Sequence, residues 1–209
     1  MIHTMEKITE QEMHILNVAE RLFLERGFLG TSTTDIAQEA GCNQALIHYY
    51  YRTKERLFRK IFETKVSAAL DYLEAYRFPN DIMTAMGDLI GFYFVFLRSN
   101  PRLPFFFINE LVLNEERREW IRETLVNDPR RAQVYAQYVA HVRDAVEAGK
   151  IRQVEPFQLL LDAVSLTVMS FLTLPIYQDL LQKTPAETDA YLTERQEEVM
   201  EVLRRRLTV

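Results

Sequence analysis

The chain has 209 residues, 48% of them hydrophobic and 26% charged, which is enough apolar volume for a sizeable core and too much for a disordered polymer. Its formal charge is -5, from 25 basic and 30 acidic residues, so bulk basicity does not mark a nucleic-acid binder and any such role must come from a local patch. A single cysteine, Cys42, excludes an intrachain disulfide and a cysteine cluster for zinc and fits a reducing, cytoplasmic setting; no metal and no cofactor is implied.

Six glycines, seven prolines, long stretches of helical spacing and no strand-like alternation predict an all-α fold. The amino terminus, MIHTMEKITEQE, lacks the basic-then-apolar profile of a secretory leader. From about Glu6 to Arg26, Ile15, Ala19, Leu22 and Phe23 repeat at helical spacing, and Gly27 can end that helix in the left-handed conformation and fold Phe28 back on Phe23. Ser32 with Asp35 three residues later resembles a capping box, with Asp where Glu or Gln is preferred, and opens a short helix closed by Gly41. Asn43 is the N-cap expected for a second short helix, Gln44 to about Tyr50. Thr53 caps a longer one, roughly Lys54 to Arg77. Pro79, Pro101, Pro129, Pro156 and Pro185 fall near helix starts, where a missing N–H is harmless. They predict helices near 80–99, 101–126 with a break at Asn114, 130–148, 156–181 and 186–206. The most apolar run, Phe157 to Leu174, is interrupted by Asp162 and followed by Pro175, so it reads as a buried helix and not as a membrane span of about 20 apolar residues.

Two short helices joined by a tight glycine turn make a helix-turn-helix, whose second helix lies in the DNA major groove. That helix would offer Gln44 to an adenine edge, Ala45 and Leu46 to a thymine methyl, and His48 and Tyr49 one turn later. The run IHYYYRTKERL places three tyrosines beside a cluster of cations, and adjacent residues cannot share one face. Tyr49, Tyr50 and Lys54 are expected to donate to phosphate oxygens, with Tyr51 turned inward. A solvated helix face is the plainer reading of the charges from Arg52 to Lys65.

Residue identity favours the DNA reading. Ala19, Leu22 and Phe23, Gly27 and Phe28, Thr31 and Ser32, Asp35-Ile36-Ala37, Ala40-Gly41, and Ile47 to Tyr51 with Lys54-Glu55 and Leu57 together resemble the DNA-binding domain of the tetracycline-repressor (TetR) family. The resemblance places Ser32, Thr33 and Thr34 where the family contacts phosphate, Gln44, Ala45, Leu46 and His48 where it reads bases, and Tyr49, Tyr50 and Lys54 where it clamps the backbone. His48 stands where the family usually has tyrosine, and Tyr51 where phenylalanine is common.

The same resemblance implies two domains: a DNA-binding domain at residues 1–53 and a helical effector-binding and dimerisation domain at 54–209. The aromatic density of residues 89–107 taken ring by ring fits a well-filled core; the resemblance implies instead a pocket there for an apolar or aromatic small molecule, with Phe92, Phe96, Phe106, Tyr135, Tyr138 and Met169 as candidate walls and Asn109 or His141 as polar anchors. The nearly all-round apolar segment after Pro156 needs more than one cover. A homodimer through the two carboxy-terminal helices would supply it, with Leu160, Val164, Phe171, Leu172, Leu192, Val199 and Leu203 as candidate interface residues. The resulting expectation is a transcriptional repressor, not an enzyme, that binds palindromic operator DNA as a dimer and engages no membrane. Its competitors are a helical lipid- or protein-binding module with a purely structural helix-turn-helix, and a helical enzyme.

Overall fold

The computed structural model describes residues 9–209, which form eleven α-helices and no strand. The leader reading of the amino terminus and the helix start at Glu6 fall, in whole or part, outside the described residues. The chain divides into two compact units between Asp71 and Tyr72.

The first unit comprises α1 (Glu10–Arg26), α2 (Thr33–Glu39), α3 (Gln44–Tyr51) and most of α4 (Lys54–Ala75). Each helix starts on a side-chain cap. Thr9 Oγ1 accepts from the Glu12 N–H at 3.1 Å, Asn43 Oδ1 from Leu46 at 2.9 Å, and Thr53 Oγ1 from Arg56 at 3.1 Å. Ser32 and Asp35 form a full capping box despite the short Asp: the Asp35 N–H donates to Ser32 Oγ, and the Ser32 N–H donates to Asp35 Oδ2 at 2.8 Å. Those bonds from Ser32 hold the Asp35 carboxyl below its ordinary range. Such caps are worth about 1 kcal/mol each, which matters for helices as short as α2 and α3.

Gly27 and Gly41 take φ values of +72° and +61°, the left-handed region that ends α1 and turns α2 into α3. The Gly27 turn lays Phe28 on Phe23 with ring centroids 5.7 Å apart, and Phe58 of α4 closes the trio edge-on. Around it are buried Ile15, Ala19, Leu22, Ile36, Ile47, Leu57, Ile61 and Phe62. Because Leu57, Phe58, Ile61 and Phe62 belong to this core, the first turns of α4 stay with the first unit, and the compact boundary lies within the helix and not at the 53/54 junction expected from sequence.

The second unit holds α5 (Ile82–Ser99), α6 (Leu103–Leu113), α7 (Glu115–Asn127), α8 (Pro129–Glu147), α9 (Pro156–Leu172), α10 (Leu174–Leu181) and α11 (Pro185–Leu207). Its core joins Ile90 and Phe94 of α5, Tyr138 and Val142 of α8, Leu159 and Phe171 of α9, and Val199 and Leu203 of α11. The expected break at Asn114 is real: its Oδ1 caps α7 by accepting from the Arg117 N–H at 2.8 Å. The expected single helix over 156–181 is two, α9 and α10, bent by 42°. Pro175 has no N–H to continue the ladder, so α9 ends at Leu172, about one turn before the proline. By length and composition α5 could cross a membrane; here its inward face packs into this core.

Candidate nucleic-acid interface

The α3 helix presents two faces set by its 3.6-residue period. Ile47 and Tyr51 are buried, at 1% and 6% exposure, and pin the helix to the first-unit core. Gln44, Ala45, His48 and Tyr49 point to solvent, with Tyr49 at 69%. Leu46, expected to meet a thymine methyl, is half-buried.

The three tyrosines divide as adjacent helical residues must. Tyr51 turns inward and donates its hydroxyl to the Glu12 carbonyl at 3.1 Å, and burial pushes its phenol well above the ordinary range. Tyr50 is half-buried, accepts from Thr9 Oγ1 at 3.2 Å and meets Tyr49 edge-on at 5.2 Å. Tyr49 is the outward member.

Behind this face α2 acts as a support. Gln44 Nε2 donates to Thr33 Oγ1 at 2.7 Å, which fixes the first side chain of α3 against the preceding helix. The Ser32 hydroxyl is engaged with Asp35, while Thr34 is exposed. His48 Nδ1 lies 2.9 Å from the carbonyl oxygen of Arg52.

Lys54 differs from the expectation of a phosphate clamp. Its ammonium donates to the carbonyls of Phe28 and Thr31, both at 2.9 Å, and sits 4.1 Å from the centre of the Phe28 ring. It thereby ties the loop between α1 and α2 to the start of α4. Arg59 pairs with Glu55 and Lys65 with Glu20. Arg52 and Arg56 are exposed at the junction of α3 and α4 and form no ion pair among the described residues, which leaves their charge open to solvent. Sequence reasoning put them inside a general charge run; a signal was available, since Lys54 lies one turn before buried Leu57 and Phe58 whereas Arg56 falls off that face.

The residues expected to line an effector pocket differ in their surroundings. Phe92 stacks between Tyr72, at 3.6 Å, and Phe96, at 5.9 Å; Tyr72 went unremarked in the sequence. Tyr138 is buried and donates to the Pro156 carbonyl at 3.0 Å, beside half-exposed Tyr135. Phe106 is buried, Asn109 is partly buried, and Met169 is outward at 51% exposure. His141 packs against Phe78, and its Nε2 is buried with no hydrogen-bond partner. A buried ion pair also went unforeseen: Glu110 Oε2 lies 2.5 Å from Arg117 Nε.

The expected dimer residues divide as well. Phe171, Leu192, Val199 and Leu203 are buried in the chain's own core and have no surface left for a second copy. Leu160, Val164 and Leu172 are half-buried, and Phe157, Leu161, Met169 and Val202 are exposed large apolar residues on the same helices. Among the described residues no group of three or more His, Cys, Asp or Glu side chains could hold a metal ion.

Residues 15–61 match the family described as bacterial regulatory proteins, tetR family. The HTH-type transcriptional regulator AcrR of Shigella flexneri is 32% identical over 89 residues, 42% of this chain and 41% of that protein. The chain therefore matches less than half of AcrR's length. The HTH-type transcriptional repressor SCO4008 of Streptomyces coelicolor is 30% identical over 147 residues, 68% of each protein. Solved structures extend the likeness of fold: a TetR transcription regulator from Haloarcula marismortui aligns with a TM-score of 0.68 at 17% identity, covering 95% of this chain and 99% of that one. FadR from Bacillus subtilis, solved in complex with stearoyl-CoA, aligns with a TM-score of 0.68 at 18% identity, over 91% and 96%.

Proposed function

The chain belongs to the tetR family of bacterial regulatory proteins, a family of transcriptional regulators and not of enzymes, and from that premise we infer that it is a repressor that binds palindromic operator DNA as a homodimer in the cytoplasm. The observation that carries the reading is the split of α3: Ile47 and Tyr51 hold it to the core while Gln44, Ala45, His48 and Tyr49 stand clear on one side. That is what a helix needs to enter a major groove, about 12 Å wide, without disturbing its own support. Arg52 and Arg56 supply phosphate neutralisation despite the chain's negative net charge, and Tyr49 adds a hydroxyl donor.

Two such heads about 34 Å apart read a two-fold site and combine modest individual affinities. The second copy is expected on the exposed apolar side of α9 and α11, through Phe157, Leu161 and Val202 with half-buried Leu160, Val164 and Leu172. The effector is an apolar or aromatic small molecule taken up by the second unit, in keeping with the apolar surfaces of α5, α6 and α8 and the orphaned nitrogen of His141. It releases DNA only by binding the non-operator state more tightly than the operator state.

The test is fluorescence anisotropy with duplexes tiled across the DNA flanking the coding region. Expected is binding to one tile, with affinity falling steeply as salt rises. Equal, salt-insensitive binding to every tile would remove the operator reading and leave the lipid- or protein-binding module.

A further inference from the structure

We propose that His48 is a specificity-determining residue that reads an exocyclic amino group, adenine N6 or cytosine N4, as a hydrogen-bond acceptor. The inference rests on the DNA-binding reading above and adds to it the polarity of one contact. A carbonyl oxygen can only accept, so the short approach of His48 Nδ1 to the Arg52 carbonyl, 2.9 Å, places the proton of the neutral imidazole on Nδ1. The other nitrogen, Nε2, then carries a lone pair and no hydrogen. His48 is exposed and Nε2 has no partner among the described residues, so an acceptor is what this position offers to the groove.

The backbone is shaped to hold that state. Arg52 adopts φ +65° and ψ -50°, a left-handed conformation that costs a non-glycine residue free energy and persists only where its surroundings compensate. The compensation is reciprocal: the Arg52 N–H donates to the His48 carbonyl at 3.0 Å, and His48 Nδ1–H returns a bond to the Arg52 carbonyl. The Thr53 N–H, donating to the Tyr51 carbonyl at 2.7 Å, secures the same turn. One strained residue thereby closes α3 and sets the tautomer of the side chain one turn back.

Gln44 lies four residues earlier on the same face, so the two side chains address neighbouring base pairs. The glutamine amide keeps both a donor and an acceptor, whereas neutral His48 has only the acceptor. In the major groove the amino groups of adenine and cytosine are donors, while guanine presents only acceptors at O6 and N7. A tyrosine hydroxyl at this position could serve either polarity; histidine with Nδ1 occupied cannot.

Full-length wild-type chain and the His48→Ala variant are each used to select from a pool of duplexes with a randomised centre, at fixed salt and about pH 8. Expected is one position per half-site where His48→Ala loses a preference that the wild type shows, with the other positions unchanged. The wild-type chain is then measured on the selected duplex carrying, at that position, a base lacking the amino group (purine for adenine, or pyrimidin-2-one for cytosine). About ten-fold weaker binding is expected, with no such loss for His48→Ala. Replacing purine N7 by carbon, in whichever purine occupies that base pair, should leave wild-type affinity unchanged. The inference is overturned if His48→Ala alters no position, if removing the amino group leaves wild-type affinity intact, or if losing N7 weakens the wild type but not His48→Ala. If the wild-type chain enriches no sequence at all, the operator reading itself fails, an outcome distinct from the other three.

Discussion

Replacing Lys54 with Met should loosen the reading head without removing a phosphate contact. Methionine keeps the apolar stem and deletes the ammonium that bonds the Phe28 and Thr31 carbonyls at 2.9 Å and faces the Phe28 ring at 4.1 Å. Taken at face value, two charge-assisted bonds at ~1.5–3 kcal/mol each and a cation–π contact of ~0.5–1 kcal/mol give several kcal/mol. Lys54 is only partly buried, however, and the Thr31 N–H also approaches the Phe28 carbonyl, at 3.4 Å. Water can take over much of what remains, so a loss of about 2 kcal/mol is expected. Hydrogen exchange is the suitable assay, because the lone tryptophan, Trp120, lies in the second unit and does not report on the head. Amides of α2 and α3 should exchange roughly 30-fold faster where global opening of the head governs them, while those of α9 and α11 should not change. DNA affinity should fall with an unaltered salt slope. Unchanged exchange together with a slope reduced by about 0.9 would refute the reasoning and return Lys54 to the phosphate backbone.

Four further variants probe the second unit. Glu110→Leu removes the carboxylate that meets the buried Arg117 guanidinium and should destabilise the unit by about 3 kcal/mol in urea unfolding followed by Trp120; pairing it with Arg117→Met should restore part of that loss. Leu161→Asp should lower dimer affinity in sedimentation equilibrium while leaving the monomer's unfolding midpoint unchanged, whereas Val199→Ala should cost roughly 1.5–2.5 kcal/mol of stability, since Val199 is fully buried in its own chain. The Glu187 carboxyl is drawn down to about 2 by hydrogen bonds from the Thr184 backbone and hydroxyl, then by Lys183. A folded-state value below the unfolded one means that its contribution is complete above the unfolded carboxyl range, about 4.3 for a free Glu. That contribution is lost as pH falls toward about 2, and Glu187→Gln should flatten this part of the acid unfolding curve.

The reading head was legible in the sequence because its signals are local. Ser32 with Asp35, Asn43 and Thr53 each act on backbone groups a few residues away, and Gly27 and Gly41 mark turns that their own backbone requires. The inward turn of Tyr51 followed from helical period alone. After Pro156 the apolar pattern runs on past Pro175 although α9 does not, because periodicity reports burial more strongly than it reports continuity.

What the sequence by itself determined, then, is most of the helices, the division of α9 from α10 excepted, and the face of α3 left free, since both depend on spacing along one chain. Only tertiary structure decided which chemically equivalent groups are already occupied. Lys54 and Arg56 carry the same charge two residues apart, yet the carbonyls of a loop more than twenty residues upstream engage one and leave the other exposed. Val199 and Val202 have the same side chain on one helix, and packing against α5 and α9 buries the first and exposes the second. A hydrogen bond or an apolar contact consumes a group's capacity only where its partner sits, and that partner's position is set by the fold.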